Sequence, residues 1–309
     1  MYQNLPKKVT LTEVGPRDGF QFETKIVPTD LKVEIICGLM EAGVKHIQAV
    51  SFVHPKIVPQ MADAEELLRR IPERQDVILS ALVLNAKGLE RARAAGVTHV
   101  EISVSASDTH SRKNTGMSLT QAVEQGQEMI RIAKIYGMQV RAGIQCAFGC
   151  VYEGQIPEER ILHIAETFMM PGIDALCLAD TTGMANPLSV KRLLQSLNSH
   201  FSILTSQFSI PTVLHLHDTR GLGLANAVAA LECGVSHFDT ALGGMGGCPF
   251  VRGAAGNIAT EDTAYLMKSM NIETGIDISK VSACSKRLET FFAKTLPGKV
   301  FRLEQGLCD

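Results

Sequence analysis

The feature that most constrains the fold is a joint between helix and strand that recurs five times along the chain. In each instance a helix-like segment ends at a glycine, and an apolar residue and a strand-like run follow at once. Glycine just past a helix adopts the left-handed conformation that ends the helix, and the short link then enters the next strand. This repetition predicts alternating β and α units. The joints are Glu41-Ala42-Gly43-Val44, Ala95-Gly96-Val97, Tyr136-Gly137-Met138, Pro171-Gly172-Ile173 and Cys233-Gly234-Val235.

Eight segments have the composition of strands, and several of them are nearly continuous apolar runs. Runs of this kind are typical of parallel strands that are buried on both faces of a sheet. The predicted strands are Val9–Val14, His46–Phe52, Val77–Leu84, His99–Ser105, Gln139–Gln145, Ala175–Ala179, Thr212–His217 and His237–Ala241.

The segments that alternate with these strands have the pattern of helices, and eight β/α units in about 270 residues match the size of a (β/α)8 barrel. An open doubly wound sheet shows the same alternation, but it normally carries a GxGxxG loop after its first strand, and residues 13–18 lack one. We predict an α/β fold: a TIM barrel over residues 8–272, an extra C-terminal helix within 273–309, and one catalytic domain over 1–309. The predicted helices are Asp30–Ala42, Asp63–Arg70, Ala86–Ala94, Leu119–Tyr136, Pro157–Met170, Pro187–Ser199, Gly223–Glu232, Thr260–Met270 and Ile278–Ala293.

Composition narrows the class of protein. The chain has 309 residues, of which 45% are hydrophobic and 20% charged, and a net charge of −2 gives no support for a nucleic-acid partner. No apolar stretch reaches the length of a membrane span, and residues 1–8 do not resemble a signal peptide. The eight cysteines are scattered as reduced thiols usually are in intracellular proteins. We expect a cytoplasmic protein with no membrane partner.

A glycine-rich stretch from Gly243 to Asp262 follows the last predicted strand and precedes a predicted helix. Such a loop, between a strand and a helix, is where α/β enzymes place catalytic groups. It presents Cys248, which is a candidate acid or nucleophile. A linker with a buried cysteine is the alternative interpretation of this stretch.

Polar residues follow three separated strands. His215 and His217 lie on one face of a strand because side chains alternate with a period of two, Asp18 follows the first strand, and Asn257 lies in the last loop. Because strand ends meet at one end of a barrel, this mixed nitrogen and oxygen set predicts a divalent cation, Mg²⁺ or Mn²⁺. Strand histidines are also found as hydrogen-bonded core residues, and an aspartate can cap a turn.

Several motifs resemble those of the 3-hydroxy-3-methylglutaryl-CoA (HMG-CoA) lyase family. This family belongs to the barrel metallolyases that open or close a carbon–carbon bond next to an acyl group. The resemblance covers nearly the whole chain, and the Cys-Pro loop is its most specific part. The matching segments are Val14–Gln21, Ser51–Lys56, Arg112–Asn114, Ala179–Thr181, His215–Gly221 and Gly243–Phe250.

The resemblance implies a homodimeric TIM-barrel enzyme that cleaves an acyl-CoA substrate to acetyl-CoA and a keto acid, as acetoacetate is formed in leucine degradation. It implies catalysis by Arg17, His215 and Cys248. It also implies a divalent metal ion held by Asp18, His215, His217 and Asn257. The substrate-binding residues that we expect are Arg17, Gln21, Gln48, Arg141 and Asp180.

Gln48 departs from the family pattern, because relatives usually carry glutamate at this position, at the end of the second strand. An amide cannot accept a proton as a carboxylate does. Either the chain has lost a general base, or Gln48 adapts the site to a different 3-hydroxyacyl-CoA, such as citramalyl-CoA. A non-catalytic acyl-CoA binder and an isopropylmalate-synthase-like condensing enzyme are further alternatives, although synthases are usually longer and lack the Cys-Pro loop.

Overall fold

A computed structural model describes residues 5–204, 210–251 and 253–303. Eight parallel strands pair in sequence order, and the last pairs with the first, so that the sheet closes into a barrel. The predicted (β/α)8 fold is thereby confirmed. The strands are β1 (Thr10–Glu13), β2 (His46–Ser51), β3 (Ile78–Val83), β4 (His99–Ser105), β5 (Gln139–Gln145), β6 (Ala175–Ala179), β7 (Thr212–His215) and β8 (His237–Thr240).

Helices cover the outside of the barrel and follow the predicted pattern to within a few residues at most ends. They are α1 (Thr29–Glu41), α2 (Ala64–Arg70), α3 (Ala86–Ala94), α4 (Asp108–Thr115), α5 (Leu119–Ile135), α6 (Glu158–Met169), α7 (Pro187–Leu204), α8 (Gly223–Leu231), α9 (Thr260–Ser269) and α10 (Ile278–Phe292). No helix within the described ranges is long and apolar enough to cross a membrane.

All five predicted joints have the expected backbone conformation. Their glycines, Gly43, Gly96, Gly137, Gly172 and Gly234, have positive φ angles of 88°, 78°, 74°, 89° and 84°. A side chain at these positions would strain the backbone, so the glycines fix where each helix ends and the next strand begins.

Apolar side chains fill the layer between strands and helices. Ile35, Ile36 and Leu39 of α1 are completely or almost completely buried, as are Phe168 of α6 and Phe238 of β8. Burial of one such side chain contributes roughly 1.5–3 kcal/mol to folding. This layer holds the strand ends, and therefore the polar residues that follow them, in fixed positions.

Several short helical elements were not predicted, and two of them contribute residues to the site. A π-helical turn, Gly15–Gly19, follows β1 directly, and five residues are too few to show a helical period. The other is α4, which is polar on nearly all sides and therefore lacks the apolar stripe by which an amphipathic helix is recognised. Its ends are nevertheless marked, because the Ser107 side chain accepts a hydrogen bond from the backbone of His110, and Gly116 ends the helix with a φ of 77°.

The C-terminal helix α10 is connected to the start of the glycine-rich loop by hydrogen bonds. Its Ser285 hydroxyl hydrogen-bonds Glu261, whose carboxylate also accepts a hydrogen bond from the Gly243 N–H at 3.0 Å. After the helix, the Gly298 N–H donates to the Gly243 carbonyl at 2.8 Å. The predicted appendage thus fixes the start of the loop. Cys308, in the predicted tail, lies outside the described residues.

Candidate active site

Three potential metal ligands converge at the carboxyl end of the barrel. Asp18 in the π-helical turn, His215 at the end of β7 and His217 just beyond it each offer a ligand atom, and these atoms lie within 4.8 Å of one another. The Nε2 atoms of the two histidines are 3.1 Å apart. The fourth predicted ligand, Asn257, pairs with His217 through a β-bridge, and its Nδ2 donates to Asp18 Oδ2 at 2.7 Å. The structure therefore brings all four residues together.

The donor atoms of this cluster suit a divalent cation. Asn257 Oδ1 is buried and has no hydrogen-bond partner among the described residues. A buried acceptor without a partner is costly, and a cation beside it would satisfy it. Two imidazole nitrogens, a carboxylate and an amide oxygen form a mixed set of the kind that binds divalent metals and leaves positions open for substrate.

Asp239 of β8 orients the first histidine. Its Oδ2 lies 3.1 Å from Nδ1 of His215, so Nδ1 carries the proton and the lone pair of Nε2 faces His217. Burial lowers the pKa of His215, but the hydrogen bond and charge of Asp239 outweigh it, and the pKa is raised. Burial and the neighbouring His215 lower the pKa of His217 to about 4. His217 is therefore neutral and able to act as a ligand at neutral pH.

Arg17 lies beside the cluster, nearly buried at 7% exposure. One of its terminal nitrogens donates to Asp18 Oδ1 at 2.6 Å, and its Nε donates to Gln48 Oε1. Burial raises the pKa of Asp18, but the charges of Arg17, His215 and His217 and the hydrogen bond from Asn257 together outweigh burial, and the pKa is lowered. Asp18 is therefore ionised at neutral pH and able to act as a ligand.

A cavity of about 160 Å³ opens beside these groups. Side chains from the π-helical turn, from β7 and from the glycine-rich loop meet there. The predicted site residues that line it are Arg17, Asp18, Gln21, His215, His217 and Cys248.

The glycine-rich loop packs closely against the ligand cluster. A Cβ on Gly246 would lie 2.6 Å from Asn257 Nδ2 and 3.0 Å from Asp18 Oδ2, so only glycine allows this approach. The loop places Cys248 in the cavity wall with 2% exposure. Burial is the largest influence on the thiol and raises its pKa. The group is therefore a protonated thiol at neutral pH and can donate a proton.

The other predicted substrate-binding residues lie at different depths. Gln21 lines the cavity and accepts a hydrogen bond from Ser51 at 3.2 Å. Gln48 is the third residue of β2, beside a register shift, and not at the strand's carboxyl end as the sequence suggested; it is completely buried. Arg141 lies near the amino end of β5 and lines a different cavity.

Asp180 lies just after β6 and does not line the cavity. Its Oδ1 accepts hydrogen bonds from the backbone of Met184 at 2.7 Å and of Ala185 at 3.0 Å. Its Oδ2 is buried without a partner among the described residues, and burial raises the pKa of the carboxyl to about 6. These contacts show how Asp180 orders its own loop.

The sequence reasoning missed three residues near the site. Glu101 and Asp239 are single carboxylates inside apolar strand segments. This pattern in the sequence could have identified them, because a charge on a buried strand requires a partner. His110 lies on the unpredicted α4 and lines the cavity with both ring nitrogens unpartnered among the described residues. Its ring contacts Phe250 edge-on at 4.6 Å, and burial lowers its pKa to about 4.

Comparison with known proteins gives a consistent result. The model of the HMGL-like family matches residues 8–287. Hydroxymethylglutaryl-CoA lyase YngG of Bacillus subtilis is 39% identical over 95% of this chain and 96% of its own. The cytoplasmic 3-hydroxy-3-methylglutaryl-CoA lyase of Mus musculus is 38% identical over 96% of this chain and 84% of its own. The mitochondrial hydroxymethylglutaryl-CoA lyase of Bos taurus is 38% identical over 89% of this chain and 83% of its own.

Solved structures that resemble this chain point to the same family. The crystal structure of the Bacillus subtilis HMG-CoA lyase superposes with a TM-score of 0.92 at 38% identity, covering 97% of this chain and 99% of that one. An HMG-CoA lyase from Acinetobacter baumannii, in complex with coenzyme A and 3-methylmalate, gives 0.90 at 37% identity, covering 99% and 98%. On the evidence of this match over nearly its whole length, the chain belongs to the HMGL-like family.

Proposed function

We propose that the chain is a metal-dependent carbon–carbon lyase that cleaves HMG-CoA, or a closely similar 3-hydroxyacyl-CoA, to acetyl-CoA and a keto acid. The observation that carries the proposal is one cavity in which a cation-binding cluster, a buried arginine and a protonated thiol meet. The family membership supports the same reaction class.

The reaction needs three events at the substrate. The 3-hydroxyl group loses its proton, the C2–C3 bond breaks as the C3 carbonyl forms, and the electron pair moves into the thioester carbonyl as an enolate. The enolate carbon then takes up a proton and becomes the methyl group of acetyl-CoA. The thioester accepts the electrons, so no organic cofactor is required.

Asp18, His215, His217 and Asn257 would hold the cation. A bound divalent ion supplies Lewis acidity, which acidifies an alcohol and orients a chelating substrate. Magnesium or manganese stays our prediction for its identity. His215 has one available lone pair, on Nε2, because Asp239 holds Nδ1 as a donor. That lone pair cannot bind a metal ion and accept a proton at the same time. The catalytic role of His215 therefore stays a prediction.

Arg17 stabilises the enolate in this account. Its guanidinium is permanently charged, lines the cavity and is fixed on two sides by Asp18 and Gln48. A preoriented charge at the developing oxyanion stabilises the transition state more than a mobile one, because no reorganisation is needed as the charge forms.

Cys248 delivers the proton to the enolate carbon. Its thiol is protonated at neutral pH and lies in the cavity wall on a loop whose glycines permit closure over the substrate. Exclusion of water by that loop protects the enolate until the proton has been transferred.

A second candidate function is cleavage of a different 3-hydroxyacyl-CoA, such as citramalyl-CoA. The observation that favours it is the polar part of the cavity lining, to which His110, Asn114 and Gln145 contribute. The unpartnered imidazole nitrogens of His110 suit an acyl group that carries hydrogen-bonding oxygens.

The remaining expectations stay predictions. They are a homodimer, a cytoplasmic location, one domain over 1–309, and substrate contacts by Gln48, Arg141 and Asp180. The relatives include both cytoplasmic and mitochondrial enzymes, which leaves the compartment of this chain as part of the proposal.

The direct test is a panel of acyl-CoA thioesters that contains HMG-CoA, citramalyl-CoA and acetoacetyl-CoA, each incubated with chelator-treated protein with and without Mg²⁺ or Mn²⁺. We expect acetyl-CoA from one of the two 3-hydroxyacyl thioesters, only after metal is restored. Higher kcat/KM on citramalyl-CoA would select the second candidate. Turnover of neither thioester, with binding retained, would contradict lyase function and support the non-catalytic binder.

A further inference from the structure

A chain of buried polar contacts borders the cavity and connects two of the residues that line it. It begins at the arginine beside the cation cluster and ends at the histidine of β7. Its members, in order of contact, are Arg17, Gln48, Glu101, Arg141, Asp239 and His215.

The amide of Gln48 is oriented by its two neighbours. A guanidinium offers only donors, so the atom of Gln48 that faces Arg17 has to be the acceptor Oε1. The amide nitrogen then requires an acceptor on the other side. Glu101 Oε2 lies there, 2.7 Å from Gln48 Nε2. Replacement of that carboxylate by an apolar group would leave the amide free to turn.

Glu101 is itself held firmly. Ser103 donates to its Oε1 at 2.7 Å, and Arg141 donates to its Oε2 through Nε at 2.9 Å. Its side chain is 8% exposed. Burial raises the pKa of Glu101, but the charges of Arg141 and Arg17 and the hydrogen bonds from Arg141 and Ser103 together outweigh burial, and the pKa lies well below its usual range. Glu101 is therefore an anion that cannot turn away from Gln48.

A carboxylate at position 48 would be incompatible with this arrangement. Its second oxygen would take the place of Nε2 and would meet Glu101 Oε2 at the same 2.7 Å separation. Two carboxylates so close cannot both be ionised and hydrogen-bonded. The neutral amide at 48 and the carboxylate at 101 are thus chemically matched.

We infer that Glu101 is a positioning residue of the lyase site: it fixes the amide of Gln48, which in turn holds the Arg17 guanidinium toward the cavity. The inference rests on the proposed role of Arg17. Glu101 also lines the cavity, but its hydrogen bonds go to Gln48, Ser103 and Arg141. We therefore expect its loss to affect the transition state that Arg17 stabilises more than it affects binding of the CoA thioester.

The first experiment compares Glu101→Leu with Glu101→Gln. The glutamine retains an acceptor for Gln48 Nε2, whereas leucine does not. We expect kcat to fall by about 10²-fold in Glu101→Leu, as for a misplaced catalytic group, and by less than about 10-fold in Glu101→Gln. KM should change little in either variant. Equal losses in the two variants, or a loss confined to KM, would overturn the positioning role.

The second experiment tests the match between the two side chains, and it remains informative if Glu101→Leu does not fold. We expect Gln48→Glu to lower kcat by about 10²-fold, because repulsion from Glu101 moves the new carboxylate, and the Arg17 guanidinium paired with it, out of position. Adding Glu101→Gln to this variant should raise kcat again by at least about 10-fold, because a single carboxylate then lies between the guanidinium groups of Arg17 and Arg141. The matched control adds Glu73→Gln instead, which removes an exposed carboxylate elsewhere and should restore nothing.

Thermal unfolding of the same variants separates this inference from the proposed function. We expect Gln48→Glu to lower the Tm and the added Glu101→Gln to recover part of the loss, whether or not the chain has lyase activity. If the unmodified chain cleaves no thioester, both the proposed lyase function and the positioning role of Glu101 are contradicted. Recovery of Tm in the double variant would still support the match between the side chains at positions 48 and 101. If the chain is an active lyase and the double variant recovers neither kcat nor Tm, the inference alone is wrong.

Discussion

The two ends of the barrel each carry three histidines beside a cavity, yet within the described residues only one end places histidines with a carboxylate in a cluster that could hold a metal ion. At the carboxyl end, His215 and His217 lie with Asp18 in one ligand cluster, and His110 lines the same cavity. At the amino end, the histidines are the first residues of β2, β4 and β8 and surround a cavity of about 250 Å³; they are His46, His99 and His237. Within the described ranges, these three histidines belong to no cluster of potential metal ligands.

The difference lies in the charges around the imidazoles. At the carboxyl end, Asp239 and Asp18 raise the pKa of His215 against the effect of burial. At the amino end, burial lowers the pKa of His46, and the nearby charges of His237, His99 and Arg141 lower it further. At the carboxyl end a carboxylate, Asp18, lies within ligand distance of both imidazoles, and Asn257 Oδ1 beside it has no hydrogen-bond partner among the described residues. Histidines therefore mark a metal site where a carboxylate and an unpartnered acceptor lie with them, and the following predictions test this comparison in order of expected effect.

Removal of the cluster's carboxylate should have the largest effect. Asp18→Ala takes away the anionic ligand and one partner of Arg17, so we expect at least about a 10³-fold loss of kcat/KM together with loss of metal dependence. Steady-state kinetics across a Mn²⁺ titration measures both. Near-normal turnover in the variant, or unchanged turnover of the unmodified chain in chelator, would contradict the assigned cluster.

Cys248→Ser should lower kcat by about 10²-fold, because a hydroxyl of much higher pKa replaces the proton donor at similar size. The matched control is Cys233→Ser, which changes another free thiol, just after α8, that does not line the cavity. Retention of normal kcat by Cys248→Ser would reduce the residue to a packing role. An equal loss of kcat in Cys233→Ser would also contradict a specific role of Cys248 in proton transfer.

Asp239→Asn should have an intermediate effect. It weakens the orientation of His215 without removing a ligand, and loss of such an outer partner typically costs 10–100-fold in metal affinity or activity. Mn²⁺ affinity measured by electron paramagnetic resonance gives the readout. An unchanged affinity would mean that the backbone of β7 alone positions His215.

Changes at the amino end should have the smallest effect on activity. We expect the His46→Gln, His99→Gln double variant to keep kcat/KM and Mn²⁺ affinity within about twofold. Its stability should nevertheless change with pH. The pKa of each histidine is lowered in the fold from 6.5, so the unfolded chain binds more protons just below pH 6.5, and stability falls as the pH drops through that range. The double variant should lose less stability than the unmodified chain there, as measured by Tm at several pH values.

Much of the architecture could be predicted because it depends on local signals. The glycine joints fixed helix ends, and period-two alternation placed His215 and His217 on one face. Convergence of strand ends then brought Asp18 and Asn257 to them. The helix α4 escaped prediction because its residues are polar on nearly every side, and His110 was missed with it.

The depth of residues inside the barrel could not be predicted in the same way. Gln48 of β2 meets Glu101 of β4 past the intervening β3, where Gln48 pairs in register with Ser80 and Glu101 with Leu82. This offset between strands is not visible in the sequence. Arg141 was expected at the substrate, but it is only the third residue of β5 and pairs in register with the first residue of β6. Its side chain therefore lies with the amino-end cavity.

The central claim is tested most directly by anomalous diffraction from crystals of the chain grown with Mn²⁺. We predict one strong peak within about 2.0–2.6 Å of ligand atoms from Asp18, His215 and His217, with Asn257 Oδ1 turned toward it, and no peak in the Asp18→Ala variant. A peak among His46, His99 and His237, or none at the carboxyl end, would contradict the account.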